Sequence, residues 1–75
     1  MNKNLLRAKI VEKGFTIDKF CTACGFVRST FDRRMAGISP FNIEEVEAMS
    51  IILELTDDEL TAIFFPKYVA ENSNK

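Results

Sequence analysis

Histidine is absent from the 75-residue chain and cysteine occurs only twice, at Cys21 and Cys24. A closed structural zinc site takes about four nitrogen or sulfur ligands, so only a site shared between chains would fill the shell. The three glycines stand singly, with no glycine-rich phosphate loop, and no carboxylate cluster marks a cleft. With no histidine as a general base, the pattern offers no support for an enzyme, and no cofactor, metal or small-molecule ligand is expected. No stretch approaches the run of about 18 apolar residues that a membrane span takes. The opening MNKNLLRAKIVEKG has charges where a signal peptide carries its apolar centre. The expectation is a soluble, cytoplasmic chain with no membrane partner, whose thiols stay reduced.

Two prolines and scattered turn residues leave room for helices and no strand. Helix 1 is expected over about residues 2 to 13, with Leu6 and Ile10 four apart on one face and Gly14 placed to end it. Thr16 caps a second helix running to about Cys24, with Phe15 and Phe20 as a hydrophobic staple. Gly25 breaks that pattern, a third helix covers about residues 28 to 36, and Gly37 serves the turn that follows. Asn42 with Glu45, and Thr56 with Glu59, have capping-box spacing, flanked by the staple pairs Phe41 and Val46 and Leu55 and Leu60. Val46, Met49 and Leu53 give helix 4 a buried stripe; Leu60, Ile63 and Phe64 give helix 5 its own, and Pro66 stops it. The fold class is therefore all-α, a compact five-helix bundle over residues 1–65 with a partly disordered tail at 66–75. One core at this length is only marginally sufficient without a partner.

Charge sorts along the chain although the net value is −1. Residues 1 to 37 hold eight Lys and Arg against three Asp and Glu, and residues 38 to 75 hold two against eight. Oppositely charged halves suit a basic face for a polyanion and an acidic face turned away from it; the plainer reading is a set of solvated helix surfaces. Acidic residues at the starts of helices 4 and 5 have an ordinary account in capping and dipole compensation.

The stretch CTACGFVRSTFDRRMAG, residues 21 to 37, holds both cysteines and an arginine-rich run. A turn of about three residues between helices 2 and 3 has the steric demands of a helix-turn-helix. The residue at the close approach must be small, the turn takes a glycine at positive φ, and apolar residues fill the angle between the helices. Cys21 is the small residue, Gly25 the turn glycine, and Phe20, Cys24, Phe26 and Phe31 fill the angle. Both thiols thus have packing roles, and no βαβ pattern accompanies them to suggest a thioredoxin-like use.

From about Leu6 to Phe65 the chain resembles the Cro and repressor family of phage helix-turn-helix proteins, of the xenobiotic-response-element type. Thr16, Phe20, Cys21 at the usual alanine position, Gly25, the run RSTF and Gly37 fall in that family's order and spacing. A helix 1 similar to LRAKIVEK and an ending similar to IFF point to a small phage-type subgroup. The resemblance implies a repressor-like DNA-binding domain that occupies an operator on double-stranded DNA and regulates transcription. Three departures stand out. Val27 occupies the usual position of a capping serine or threonine, at a cost of about 1 kcal/mol, with Ser29 as the nearest alternative cap. Ile10 and Met35 replace an ion pair that many relatives carry, an exchange that is often neutral or stabilising. Arg34 stands where many relatives bury an apolar side chain, so its stem is expected over the core with its head toward solvent or phosphate.

On the third helix Arg28, Ser29, Asp32 and Arg33 share a side opposite Phe31 and Met35, and the family's base-contacting positions fall on the same four. Arginine suits a bidentate contact to guanine, whereas Asp32 either accepts from cytosine or orients a neighbouring arginine. Phosphate contacts are expected from the start of helix 2 at Thr16, Ile17 and Lys19, from Thr30 and Arg34, and weakly from Ser39 and Asn42 in a loop without lysine or arginine. Ile51, Phe65, Tyr68 and Val69 have no evident home in the core, which predicts a homodimer interface or a tail folded back over Ile51. Two recognition helices one DNA turn apart would multiply a weak half-site contact. A chain of this length has no room for a second oligomerisation domain, which favours a Cro-like part over a repressor. The alternative function is a protein-binding module, such as an antirepressor that keeps the scaffold and binds another regulator through its acidic, apolar half.

Replacing both Cys21 and Cys24 with alanine should cost about 1 kcal/mol or somewhat more through lost packing and leave the fold intact. Urea melts of the parent should not respond to a chelator; a chelator-sensitive midpoint would restore a metal role for the pair.

Overall fold

A computed structural model describes residues 1–67. Within them the chain forms five helices and no strand: α1 (Lys3–Glu12), α2 (Ile17–Cys24), α3 (Arg28–Met35), α4 (Ile43–Leu53) and α5 (Asp57–Phe64). α2, α4 and α5 begin at the caps the sequence marks. Thr16 Oγ1 accepts from the Lys19 amide at 3.2 Å. Asn42 with Glu45 and Thr56 with Glu59 close reciprocal capping boxes with all four bonds between 2.8 and 3.1 Å. Asn2 supplies a cap to α1 in the same way, its Oδ1 accepting from the Leu5 amide. Val27 precedes α3 with no side-chain cap, and Ser29 lies inside the helix, so the later start it offered is not used.

The helices are short because the chain turns sharply between them. After α2, Gly25 adopts φ 81, and the Phe26 and Gly25 amides donate back to the carbonyls of Cys21 and Thr22. This is the Schellman closure of a helix end, and glycine enters it without a side-chain penalty. No neighbouring atom lies within 4 Å of where a Cβ at Gly25 would stand, so backbone conformation alone selects the residue. The end of α4 uses the same pattern without glycine: Glu54 takes φ 52, with the Leu55 and Glu54 amides on the carbonyls of Ser50 and Ile51. A non-glycine residue there gives up about 1 kcal/mol, and nothing in the sequence announces it.

Every helix contributes to one core. Leu6 and Ile10 of α1, Phe20 and Cys21 of α2, Phe31 and Met35 of α3, Val46, Met49 and Leu53 of α4, and Ile63 and Phe64 of α5 are buried together. Leu60, expected in the stripe of α5, is only partly buried against this cluster. Ile10 and Met35 both lie in the common core. Through the centre runs a chain of rings, Phe15 to Phe20 to Phe31 and on through Phe26 and Phe41 to Phe64, with successive centroids 5.8 to 6.2 Å apart. Tilted and edge-on pairs at such distances add to the burial of their surfaces.

Polar ties fasten the perimeter. The Asn2 amide donates to the Ile63 carbonyl at 2.6 Å, joining the start of α1 to the last turn of α5. Lys9 of α1 pairs with Glu59 of α5 and also with Glu12 on its own helix. Glu59 therefore serves both its capping box and an interhelical pair, and the Lys9 ammonium and the Thr56 amide together pull its carboxyl down to about 2.

A depressed carboxylate stabilises the fold fully above its ordinary value of 4.5 and loses that contribution as the pH falls toward about 2. Glu59→Gln keeps an acceptor for the capping box and removes the charge. Urea midpoints of this variant should be lower than the parent's at pH 7 and should converge on the parent's near pH 2.5. Parallel pH profiles for the two proteins would show that the Lys9–Glu59 pair contributes nothing.

Candidate functional site

The buried pair Phe31 and Met35 sets the rotation of α3 and so decides which of its side chains meet solvent. Arg28, Ser29, Asp32 and Arg33 are all exposed, and Thr30 and Arg34 are half-buried at the flanks. The four residues predicted to read bases do share the outward side. From α2, Thr16 and Lys19 are exposed while Ile17 is partly buried against the core. In the segment before α4, Asn42 is exposed and Ser39 is half-buried. Tyr68 and Val69, assigned to a dimer interface, and the rest of the expected tail beyond Lys67 lie outside the described residues.

The three arginines of α3 have different surroundings. Arg33 makes no ion pair or side-chain hydrogen bond among the described residues, and neither does Lys19. Arg28 lies between two carboxylates: its Nη1 donates to Asp18 of α2, and its Nε donates to Asp32 one turn along α3, at 3.1 Å. Both pairs are well exposed, with Arg28 at 49%, Asp18 at 78% and Asp32 at 57%. Such pairs contribute little to folding because water screens them. Their effect is geometric, since two acceptors on different helices restrict where the guanidinium plane can lie. These hydrogen bonds, the one to Asp32 foremost, raise the Arg28 pKa and keep the group charged.

Arg34 is committed elsewhere. Its Nε and Nη2 form a two-pronged contact with Glu45 Oε1 and Oε2 at 3.0 and 3.1 Å, and the two side chains are only 21% and 15% exposed. The side chain is mostly covered, and its head is turned to a carboxylate of α4, not to open solvent. Glu45 in turn accepts from the Asn42 amide, so the α3–α4 link and the capping box share one carboxylate. Bonding to Arg34, and then to Asn42, holds the Glu45 carboxyl below its ordinary range against the opposing effect of burial. Asn42 Oδ1 is likewise taken, by the Glu45 amide. Of the residues predicted to touch phosphate, Lys19, Thr30 and Ser39 make no side-chain hydrogen bond among the described residues, whereas Arg34 has committed Nε and one hydrogen of Nη2 to Glu45.

The thiols stand apart from this face chemically. Cys21 is buried, Cys24 is half-buried, and no bond joins them. Burial pushes the Cys24 thiol up to about 11 and raises Cys21 as well, which disfavours the thiolate that metal binding and nucleophilic attack need. Among the described residues no group of three or more His, Cys, Asp or Glu could hold a metal ion, and no helix is long and apolar enough to cross a membrane.

Sequence reasoning did not find the partners Asp18 and Glu45. The Arg28–Asp32 spacing of four was legible as a helical pair, but Asp18 lies ten residues from Arg28 and Glu45 eleven from Arg34, distances that only the tertiary fold closes. No family model, no curated protein and no solved structure matches the chain.

Proposed function

We propose that the protein is a sequence-specific DNA-binding regulator of transcription, in which α2, the Gly25–Val27 turn and α3 act as a helix-turn-helix and α3 enters the major groove of an operator. The observation that carries this reading is the outward side of α3. Arg33 and Ser29 offer unspent donors beside a charged, oriented Arg28, while Phe31 and Met35 lock the opposite side into the core. Arginine donors spaced along one side of a helix match the acceptor pairs of guanine in the major groove. Lys19 beside the N-terminus of α2 supplies a phosphate donor on the adjacent helix, and such contacts fix register without reading sequence. In this reading Arg34 mainly ties α3 to α4, and the phosphate role expected of it passes largely to Lys19 and Thr30.

In mobility shifts with the DNA flanking its own gene, against excess random DNA, log affinity should fall linearly with log salt with a slope of several released ions. Arg33→Ala should cost about 1–3 kcal/mol on that DNA and relax base preference locally, with no loss of fold, because the Arg33 side chain makes no hydrogen bond or ion pair among the described residues. A flat salt dependence, together with a stable complex with another regulator, would replace this reading by the protein-binding module.

The operator reading includes a homodimer. Ile51 of α4 is 73% exposed, away from the helix's buried stripe, and Phe65 is also exposed beyond α5. A second copy over this side would bring two copies of α3 to the two halves of an operator. Sedimentation equilibrium should give a dimer at high micromolar concentration, weakened in Ile51→Glu. A monomer at that concentration that binds a half-site as tightly as the full operator would exclude it.

A further inference from the structure

Asp18 is out of keeping with the face it occupies. It lies in the first turn of α2, beside Thr16 and Lys19, where a phosphate-facing surface gains from cations and free amides. A carboxylate there weakens attraction to any DNA backbone, whatever its sequence. It has an ordinary benefit, since an acidic side chain near a helix N-terminus complements the dipole. That benefit would be met equally by an acid pointing to solvent, yet this one reaches across to the first residue of α3 and takes the Nη1 of Arg28. Asp32 takes Nε of the same guanidinium from one turn along α3. The two carboxylates occupy different nitrogens from different helices, which restrains both the position and the plane of the group. Donors remain on the fork for a third acceptor.

We propose that Asp18 is a positioning residue for DNA readout: by holding Arg28 against Asp32, it fixes the guanidinium plane for a guanine edge and lowers affinity for DNA that lacks one. This deepens the DNA-binding reading above and rests on it. The physical consequence is a trade. An unrestrained Arg28 would swing to the nearest phosphate on any duplex, a contact that carries no sequence information. A restrained one gives up that contact and loses less freedom when it meets the matching base pair. Discrimination between duplexes thus rises through the orientation of Arg28, whereas the repulsion of phosphate by Asp18 lowers affinity for every duplex alike.

The test compares wild type, Asp18→Asn, Asp18→Glu, Arg28→Ala and the double variant Asp18→Asn with Arg28→Ala. The probes are a duplex enriched by the wild-type protein from a randomised pool and the unselected pool itself, at two salt concentrations. Asp18→Asn should bind the unselected pool more tightly and lose about tenfold in the ratio of the two affinities. Asp18→Glu should recover part of that ratio. In the Arg28→Ala background, Asp18→Asn should leave the ratio unchanged. Nitrogen relaxation of the Arg28 Nε–H, measured without DNA, should show an ordered group in wild type and a freer one in Asp18→Asn, while thermal melts remain close. An unchanged ratio, or the same loss in the Arg28→Ala background, overturns the proposal, as does an Nε–H indifferent to Asp18. Failure of the underlying reading looks different: no duplex is enriched and binding does not respond to salt, although the Nε–H still responds to Asp18→Asn. The proposal then falls with that reading.

Discussion

Phe31 is the contact on which most of the arrangement depends. Its ring meets Phe20 of α2, Phe26 of the turn and Phe41 ahead of α4, each with centroids about 6 Å away, and it is almost wholly buried. Three separate segments are therefore referred to one side chain on α3. Because the ring must point inward, a helix of eight residues has no rotational freedom left, and Arg28, Asp32 and Arg33 are turned outward as a consequence. In so short a chain, where one core must be assembled from five helices, this economy matters: the residue that seals the core also aims the proposed recognition surface.

The three arginines of α3 show how neighbours convert one residue type into different roles. Arg34 is drawn into a two-pronged, half-buried bond with Glu45 and becomes a strut between helices. A planar fork against a carboxylate is the geometry in which arginine is least replaceable by lysine. Arg28 is held at the surface by two exposed carboxylates that restrain it without sequestering it. The Arg33 side chain has no ion pair or hydrogen bond among the described residues. A sequence reading sets Arg34 apart by its place on the helix but grades Arg28 and Arg33 alike and does not find the partners Asp18 and Glu45, which stand ten and eleven residues away.

What could be read in advance was whatever depends on local chemistry. The starts of α2, α4 and α5 follow from Thr16, Asn42 and Thr56, because a side-chain oxygen three residues ahead of an amide is a local device. The buried stripes of α3 and α4 follow from helical period, and the turn glycine from its positive φ. The end of α4 escaped because Glu54 adopts a glycine-like conformation without being glycine. The ties Asn2 to Ile63 and Lys9 to Glu59 escaped because they join the two ends of the described chain. For the candidate site, the outward set on α3 was legible, and the pairing that ranks its members was not.

Pairing also resolves the apparent conflict between a net charge of −1 and a proposed polyanion partner. In residues 1 to 37 every acid is matched internally: Glu12 by Lys9, and Asp18 and Asp32 by Arg28. Lys9 and Arg34 draw their further partners, Glu59 and Glu45, from the acidic half. The cations left without a partner among the described residues of that half are Lys3, Arg7, Lys13, Lys19 and Arg33. Beyond residue 37 the charges unmatched among the described residues are Glu44, Glu47, Glu54, Asp57 and Asp58 on α4, its cap and the first turn of α5, together with Lys67. A polyanion carries a condensed layer of counterions, which cations free to reach its phosphates displace. The quantity that governs such binding is thus the unmatched charge of one half, which is wholly positive, and the acidic half lowers the net charge of the chain while stitching itself to the basic one through Glu45 and Glu59.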